Sequence, residues 1–297
     1  SSLGTWTLSQ STTAPDGFTN SVKMDCTTAN ASPASGAFLN CRQKIEAQDL
    51  QQLKYGTSSA ETLTVSFHVR SNKTGTYIVE LLQPDASNRH RGASYTINSA
   101  NTWEKKIVTF SGDTSGVINN DTGDGIQLTW WLGSGSDFNS GTLQTDWGAL
   151  DQTARAVGNV NLADSTDNEW YITGVQLEVG STETPFEHRS FGEERSLCCR
   201  YFWKGNHYDA GATSSSGATG IVSLTFEKKM RVAPSFTYHS GGTLMDGAVD
   251  KSVSSLSLTR NFTQDGGEVI YNAASSFGAN ARGCTVREAL ISLDAEL

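Results

Sequence analysis

An alternation of apolar and polar residues with a period of two constrains this chain more than any other feature. Over 61–70, ETLTVSFHVR, the residues Leu63, Val65, Phe67 and Val69 fall on one face, as in a strand that buries one side. After the turn signal SNKTG, the run TYIVELL sets Tyr77, Val79 and Leu81 against Ile78, Glu80 and Leu82, and the two segments read as a hairpin. His68 falls on the outer face as an ordinary strand histidine rather than a proton carrier. Further strands are expected at 4–9, 21–25, 36–46, 93–97, 103–110, 126–132 and 169–179, with a helical turn at 47–54. The stretch 133–167 reads as a long loop holding a short helix within 146–155, since loops of that length are functional or contain structure of their own. Eight or nine strands in the first 180 residues fit two packed antiparallel sheets, a jelly roll. The alternating helices of a parallel α/β fold are missing.

Texture changes after Val179. Pro185 forces an extended stretch in GSTETPFEHR, and a short connecting helix is expected over 192–201, with Glu193 and Glu194 in its first turn and Arg200 near its end. Strands then return as GIVSLTFEKKM, APSFTYHSG, SVSSLSLTRNF, GEVIYNAAS and CTVREALISLDAEL, the first preceded by the flexible run GATSSSGATG. The expected architecture is therefore all-β: a large antiparallel jelly-roll sandwich over 1–188, a connector with a short helix over 189–204, and a smaller C-terminal β domain over 205–297. No repeat of 20–50 residues points to a solenoid or propeller.

Composition narrows the function. The chain's 297 residues carry 22 Lys and Arg against 31 Asp and Glu, a net charge of −9, so a broad phosphate-neutralising surface is not expected and nucleic acid is a poor partner. No apolar run approaches the ~18 residues of a membrane span, and the opening SSLGTWTLSQ lacks an export signal; membrane insertion is not expected. Ser1 in place of Met is consistent with a processed chain or with the distal part of a longer one, in which an anchoring segment precedes it. Five cysteines, an odd and sparse set, read as free thiols, with a Cys26–Cys41 pair as the one alternative. Cys198 and Cys199 lack zinc-ligand spacing.

Motifs of catalysis are missing: no G-x-S-x-G elbow, no phosphate loop and no dinucleotide fingerprint appear. Glu178, Glu183 and Glu187 read as surface charge rather than a glycosidase pair. Asp121 and Asp124 in NNDTGDG are hard oxygen donors in a Gly-bearing turn but do not meet the calcium-loop pattern. No catalytic residue, metal or cofactor is expected. Aromatic residues are more informative, because an indole stacks on the apolar face of a sugar ring while polar neighbours bond its hydroxyls. Of the seven tryptophans, Trp103 and Trp170 read as core, while adjacent Trp130 and Trp131 must point to opposite faces of their strand. One of that pair is core and the other outward or interfacial, with Trp131 a candidate glycan contact. Arg89, His90 and Arg91 form a small basic patch near Tyr95, open to an anionic glycan, though a solvated loop is the ordinary reading. Recognition is expected in loops of the C-terminal domain, with Trp203, His207 and Tyr208 as candidates.

The run 171–201, YITGVQLEVGSTETPFEHRSFGEERSLCCRY, resembles a motif of structural proteins from tailed bacteriophages, particularly marine ones: ITGVQLEVG, then P-F-E-H-R, then a Glu-rich turn into C-x-R-Y-[FY]. APDGFTNSVKMDCTTA, QKIEAQDLQQLKYGTSSAETLTVSFHVRSNKTGTY, YTINSANTWEKKIVTFSGDTSG and VNLADSTDNEW extend the resemblance over most of residues 11–204, and the ending DAEL also fits. Arg195 stands where an apolar residue is common, and Cys199 where Gln is usual. The resemblance implies a virion appendage protein of the tail fibre or receptor-binding type, with a carbohydrate-binding-module-like jelly roll. It further implies a homotrimer made in the host cytoplasm, partnered by other virion proteins and by host cell-surface polysaccharide or lipopolysaccharide. A capsid decoration, head fibre or tail connector is the structural alternative, and a glycan depolymerase the third.

Overall fold

A computed structural model describes residues 3–213, 218–245, 250–275 and 283–296. The chain divides into two compact units, Ser1–Glu187 and His188–Leu297, and both are β-sheet structures. Among the described residues no helix is long and apolar enough to cross a membrane.

The first unit contains β1 (Thr5–Ser11), β2 (Ser21–Thr28), β3 (Phe38–Glu46), β4 (Leu63–Ser71) and β5 (Gly75–Gln83). It continues with β6 (Arg89–Ile97), β7 (Glu104–Phe110), β8 (Asp124–Ser134), the two-residue β9 (Gly148–Ala149) and β10 (Glu169–Val179). These make two five-stranded sheets, ordered β1-β2-β10-β4-β7 and β3-β8-β5-β6-β9. With β1 and β9 set aside, each connection crosses between sheets except the β5–β6 hairpin, which is a jelly roll. The helical turn expected at 47–54 is a 3-10 helix over Ala47–Leu53.

One pairing differs from expectation. β4 bonds to β10 and β7, while β5 bonds to β6 and β8, so the two runs read as a hairpin lie in opposite sheets and SNKTG arches between them. Leu63, Val65, Phe67 and Val69 thus meet Tyr77, Val79 and Leu81 in one buried cluster. Alternation fixes which face of a strand is buried, not which strand is its hydrogen-bonding neighbour.

The outer face of β5 is also covered. Ile78, Trp131 and Ala156 bury together with Phe138 and Leu143 packed against them. The covering stretch, residues 133–167, contains α1 (Ser136–Asn139), β9 and a 3-10 turn over Gln152–Ala154 capped by Asp151. That turn stands where a short helix was expected. Beneath it, fully buried Glu80 accepts from Arg155 Nε and Nη2 at 2.8 Å each and from Trp131 Nε1 at 3.0 Å. His90 Nδ1 lies 2.9 Å from Glu80 Oε1, and the Asp151 amide donates to its Nε2 at 3.3 Å, which makes Nδ1 the donor to Glu80. Burial alone would push the Glu80 carboxyl up, but the bonds from His90 and Arg155 outweigh it and hold the group below the ordinary range. None of the five cysteines forms a disulfide, so Cys26 and Cys41 do not pair.

The second unit opens on α2 (Phe191–Cys198), started by a capping box: Ser190 Oγ accepts from the Glu193 amide, and the Glu193 carboxylate accepts from the Ser190 amide at 3.0 Å. Six strands follow: β11 (Phe202–Thr213), β12 (Thr219–Thr225), β13 (Ser235–Met245), β14 (Asp250–Arg260), β15 (Gly266–Ala273) and β16 (Gly283–Asp294). They close as an antiparallel barrel, β11-β12-β15-β14-β13-β16, around Val222, Leu244, Val269, Tyr271, Val286 and Ile291. β11 was not expected, because its more buried positions include Trp203, Gly205, His207 and Asp209, of which only Trp203 is a large apolar side chain. A strand that faces inward with Gly, His and Asp carries no period-two signal. The run GATSSSGATG lends its first three residues to β11, and 214–217 lie outside the described residues.

Candidate functional site

Geometry of the β11–β12 seam begins with strand pairing. β11 bonds to β16 from Phe202↔Asp294 to Ala212↔Gly283, but among the described residues to β12 only through Gly211↔Val222, Ala212↔Ile221 and Thr213↔Gly220. Away from those three pairs the two strands part. A cavity of about 250 Å³ lies where they do, walled by Trp203, Asn206, Tyr208 and Asp209 on one side and by Thr225, Phe226, Glu227 and Lys228 on the other. Leu224, Met230 and Leu293 supply apolar contacts.

His207 spans the parting strands. It is 3% exposed, with Nε2 at 3.3 Å from the Ser223 carbonyl and Nδ1 at 2.8 Å from the Tyr271 hydroxyl. A carbonyl only accepts, so Nε2 carries the proton and Nδ1 accepts from Tyr271. Burial pushes the His207 pKa below its ordinary value, against the opposing Ser223 carbonyl and the Asp209 carboxylate. A neutral imidazole thus stands in for a ladder bond where the ladder ends.

Trp203 depends on its neighbour two residues along the strand. A Cβ on Gly205 would sit 2.8 Å from Trp203 Cζ2 and 3.0 Å from Cη2, so the indole lies against the bare backbone of Gly205 and any side chain there would lift it. Glu227 is held by Arg195 of α2 in a two-pronged bond at 2.7 and 3.1 Å, and that bond and the guanidinium charge lower its pKa. By contrast, the side chains of Asn206, Tyr208 and Lys228 have no hydrogen-bond or ion-pair partner among the described residues, and Tyr208 is 58% exposed. Trp203 and Phe226 are partly buried against the barrel core, and the parts of them that line the cavity, with the amide, hydroxyl and ammonium groups of its other lining residues, can provide stacking and hydrogen bonding to one small polar ring.

Of the residues singled out from sequence, Trp203, His207 and Tyr208 come together here, in a strand rather than a loop. The others do not join them. Trp131 is 1% exposed, sealed under the 133–167 stretch with Arg155 5.0 Å from its ring centre, so it offers no outward face. Arg89 is spent on buried Asp113 through bonds of 2.6 and 3.0 Å. Arg91 donates to Ser111 and to the Thr145 carbonyl, with its guanidinium 5.5 Å from the Phe110 ring centre. With His90 on Glu80, the basic patch is an internal brace. Burial of Arg91 lowers its pKa.

Other candidates also resolve into structure. Trp130 and Trp170 are core residues, and Tyr95 stacks on Tyr77. His68 is half-buried against Phe18 with ring centres 5.3 Å apart, and burial lowers its pKa. Glu178 binds Thr184, Glu183 binds Lys105, and the Glu187 amide donates to Gln176, which together pin the extended segment. Asp121 accepts from the Gly123 amide and Asp124 from Gln127; among the described residues no group of three or more His, Cys, Asp and Glu is placed to hold a metal ion.

Sequence reasoning passed over Asn206, Asp209, Phe226, Glu227 and Lys228. The run GIVSLTFEKKM reads only as a strand. One local cue was present: in WKGNHYD a glycine follows the tryptophan by two, leaving room for a ring to lie along the strand.

No family model matches the chain, and no curated protein matches it. Among solved structures it is similar to the enzymatically active domain of tailspike protein 4 of Bacteriophage CBA120, at 12% identity and a TM-score of 0.33, over 60% of this chain and 18% of that one. It is also similar to a Family 16 carbohydrate-binding module, at 14% identity and a TM-score of 0.29, over 58% of this chain and 89% of that one. The tandem CBM22-1-CBM22-2 domain of Xyn10C from Paenibacillus barcinonensis covers 99% of this chain and 90% of its own length, at 10% identity and a TM-score of 0.32. The chain therefore spans under a fifth of the tailspike chain. These likenesses are weak, and the jelly-roll assignment rests on the strand order itself.

Proposed function

We propose that this chain is a non-catalytic virion appendage protein of a tailed bacteriophage, a tail fibre component that binds host-surface polysaccharide or lipopolysaccharide. The cavity where β11 and β12 part carries this reading: it is lined by Trp203, Tyr208 and Phe226 and by Asn206 and Lys228, whose polar groups have no partner among the described residues. The resemblance of residues 11–204 to phage appendage proteins supports the virion setting. Single sites of this size bind weakly, and a homotrimer displayed in several copies would raise effective concentration without a stronger contact. The test is binding of the whole chain to host cells and to purified host lipopolysaccharide. Wild type binds, Trp203→Ala binds at least tenfold more weakly, and no reducing ends are released; undiminished binding by a folded Trp203→Ala chain contradicts the site, and released reducing ends contradict the non-catalytic role.

A structural role in the particle has its own support. In α2 no residue is buried, and Phe191 is 84% exposed, although a helix this short gains little stability without packing. Cryo-electron microscopy of the virion distinguishes the two: residues 205–297 at a distal tip favour receptor contact, and burial at a base favours assembly.

A further inference from the structure

Resting on that glycan reading, we infer that the β11–β12 seam takes a single uncharged pyranose at the end of a glycan chain, rather than an acidic sugar or an internal segment. Size is the first argument. About 250 Å³ falls just below the ~300 Å³ at which sites for drug-sized ligands begin, and matches one ring better than several.

Closure is the second. The three β11–β12 pairs beginning at Gly211↔Val222 close the seam at one end, and Cys199 at the C-terminus of α2, with Met230 and Leu293, lines the cavity elsewhere. Cys199, Met230 and Leu293 are all buried. With one end shut by strand pairing and apolar side chains along the wall, the seam suits the end of a glycan chain better than a polymer running on through it.

Charge is the third. Glu227 is already matched by Arg195, which leaves Asp209 and Lys228, one of each sign, in the cavity wall. A sugar carboxylate would gain Lys228 but face Asp209; a sugar ammonium would gain Asp209 but face Lys228. An uncharged ring meets neither repulsion. Asn206 and Tyr208 then have hydroxyls to bond, while Trp203, seated on Gly205, offers an aromatic face.

The experiment titrates the full chain, by saturation-transfer NMR and calorimetry, with methyl glucoside, methyl galactoside, methyl mannoside, N-acetylglucosamine, glucosamine and glucuronic acid. A host oligosaccharide is added intact and after its terminal ring has been removed by an exoglycosidase. At least one uncharged monosaccharide is expected to bind tenfold or more tightly than glucuronic acid and glucosamine, and trimming the terminal ring is expected to reduce oligosaccharide binding at least tenfold. Tyr208→Ala and Asn206→Ala, both at exposed positions, weaken the uncharged sugar at least threefold with the fold intact. Tighter binding of glucuronic acid that Lys228→Ala removes, or of glucosamine that Asp209→Asn removes, overturns the inference on charge; unchanged binding after trimming overturns it on chain ends. In those cases the glycan reading stands. If no saccharide binds, or binding ignores Tyr208, Asn206 and Trp203 alike, that reading itself fails.

Discussion

In the sandwich, Glu80 is wholly buried with both oxygens taken by Arg155, His90 and Trp131, whereas in the barrel the side chains of Asn206, Tyr208 and Lys228 stand around a cavity with no partner among the described residues. A polar group removed from water by folding must find partners inside the protein, so the Glu80 network belongs to the architecture. One left in water and unpaired remains available to a ligand. The same contrast separates the basic residues: Arg89 and Arg155 are spent on internal carboxylates, and Lys228 has no carboxylate partner among the described residues. Charge or an aromatic ring in the sequence is therefore a weak guide to a site until its internal commitments are known.

The largest effect should come from breaking the sandwich network. Arg155→Ala leaves the Glu80 carboxylate buried without its cation and is expected to cost about 3–5 kcal/mol, seen as a lowered first-unit transition in denaturant, with the barrel transition in place. A cost under about 1 kcal/mol would mean that the network is not structural. Next, Gly205→Ala should destabilise the barrel by about 1–3 kcal/mol, because its Cβ must displace the Trp203 ring. It should also weaken sugar binding although no pocket side chain is removed; unchanged tryptophan fluorescence and binding would show that the indole does not need a bare backbone beneath it.

Acid should separate the two units. The folded pKa of His207 is depressed below its ordinary 6.5, so its contribution is fully present above that value and is lost as pH falls towards the folded pKa, the unfolded chain taking up the proton first. The Glu80 carboxyl is depressed below 4.5; its contribution is present above that value and is lost only as pH falls further. The pKa of His68 in the sandwich is depressed in the same direction as that of His207, so in a His68→Gln background thermal melts across pH should show a histidine-linked weakening of the barrel at milder acidity, flattened by adding His207→Gln, while the Glu80-linked loss in the sandwich begins lower. The smallest effect is expected from Arg195→Ala: its ion pair with Glu227 is solvent-exposed, so the melting temperature should not move measurably, but the uncovered carboxylate should make binding of a cationic sugar more favourable and more salt-sensitive.

Much of the sandwich was legible because its strands obey a simple period. Leu63, Val65, Phe67 and Val69 point to the core as their spacing demands. Less legible was anything decided by a second covering layer: Ile78, Glu80 and Trp131 share a face that alternation marks as outer, yet residues from 133–167 bury it. Strand partners of β4 and β5 were misread for a related reason, since facing and pairing leave the same pattern in sequence. In the barrel the difficulty is sharper. β11 was missed because Gly205, His207 and Asp209 occupy its more buried positions, and the same substitutions that erase the strand signal create the cavity. Its residues were found as individual aromatic and imidazole candidates, without the seam that unites them.

A backbone amide shift map of the whole chain, titrated with host-derived oligosaccharide, tests the division of labour between the units most directly. Perturbations gathered at 203–209 and 223–230, with the sandwich amides unmoved, are the predicted result. Perturbations confined to the sandwich, with Trp203, His207 and Lys228 silent, would contradict it.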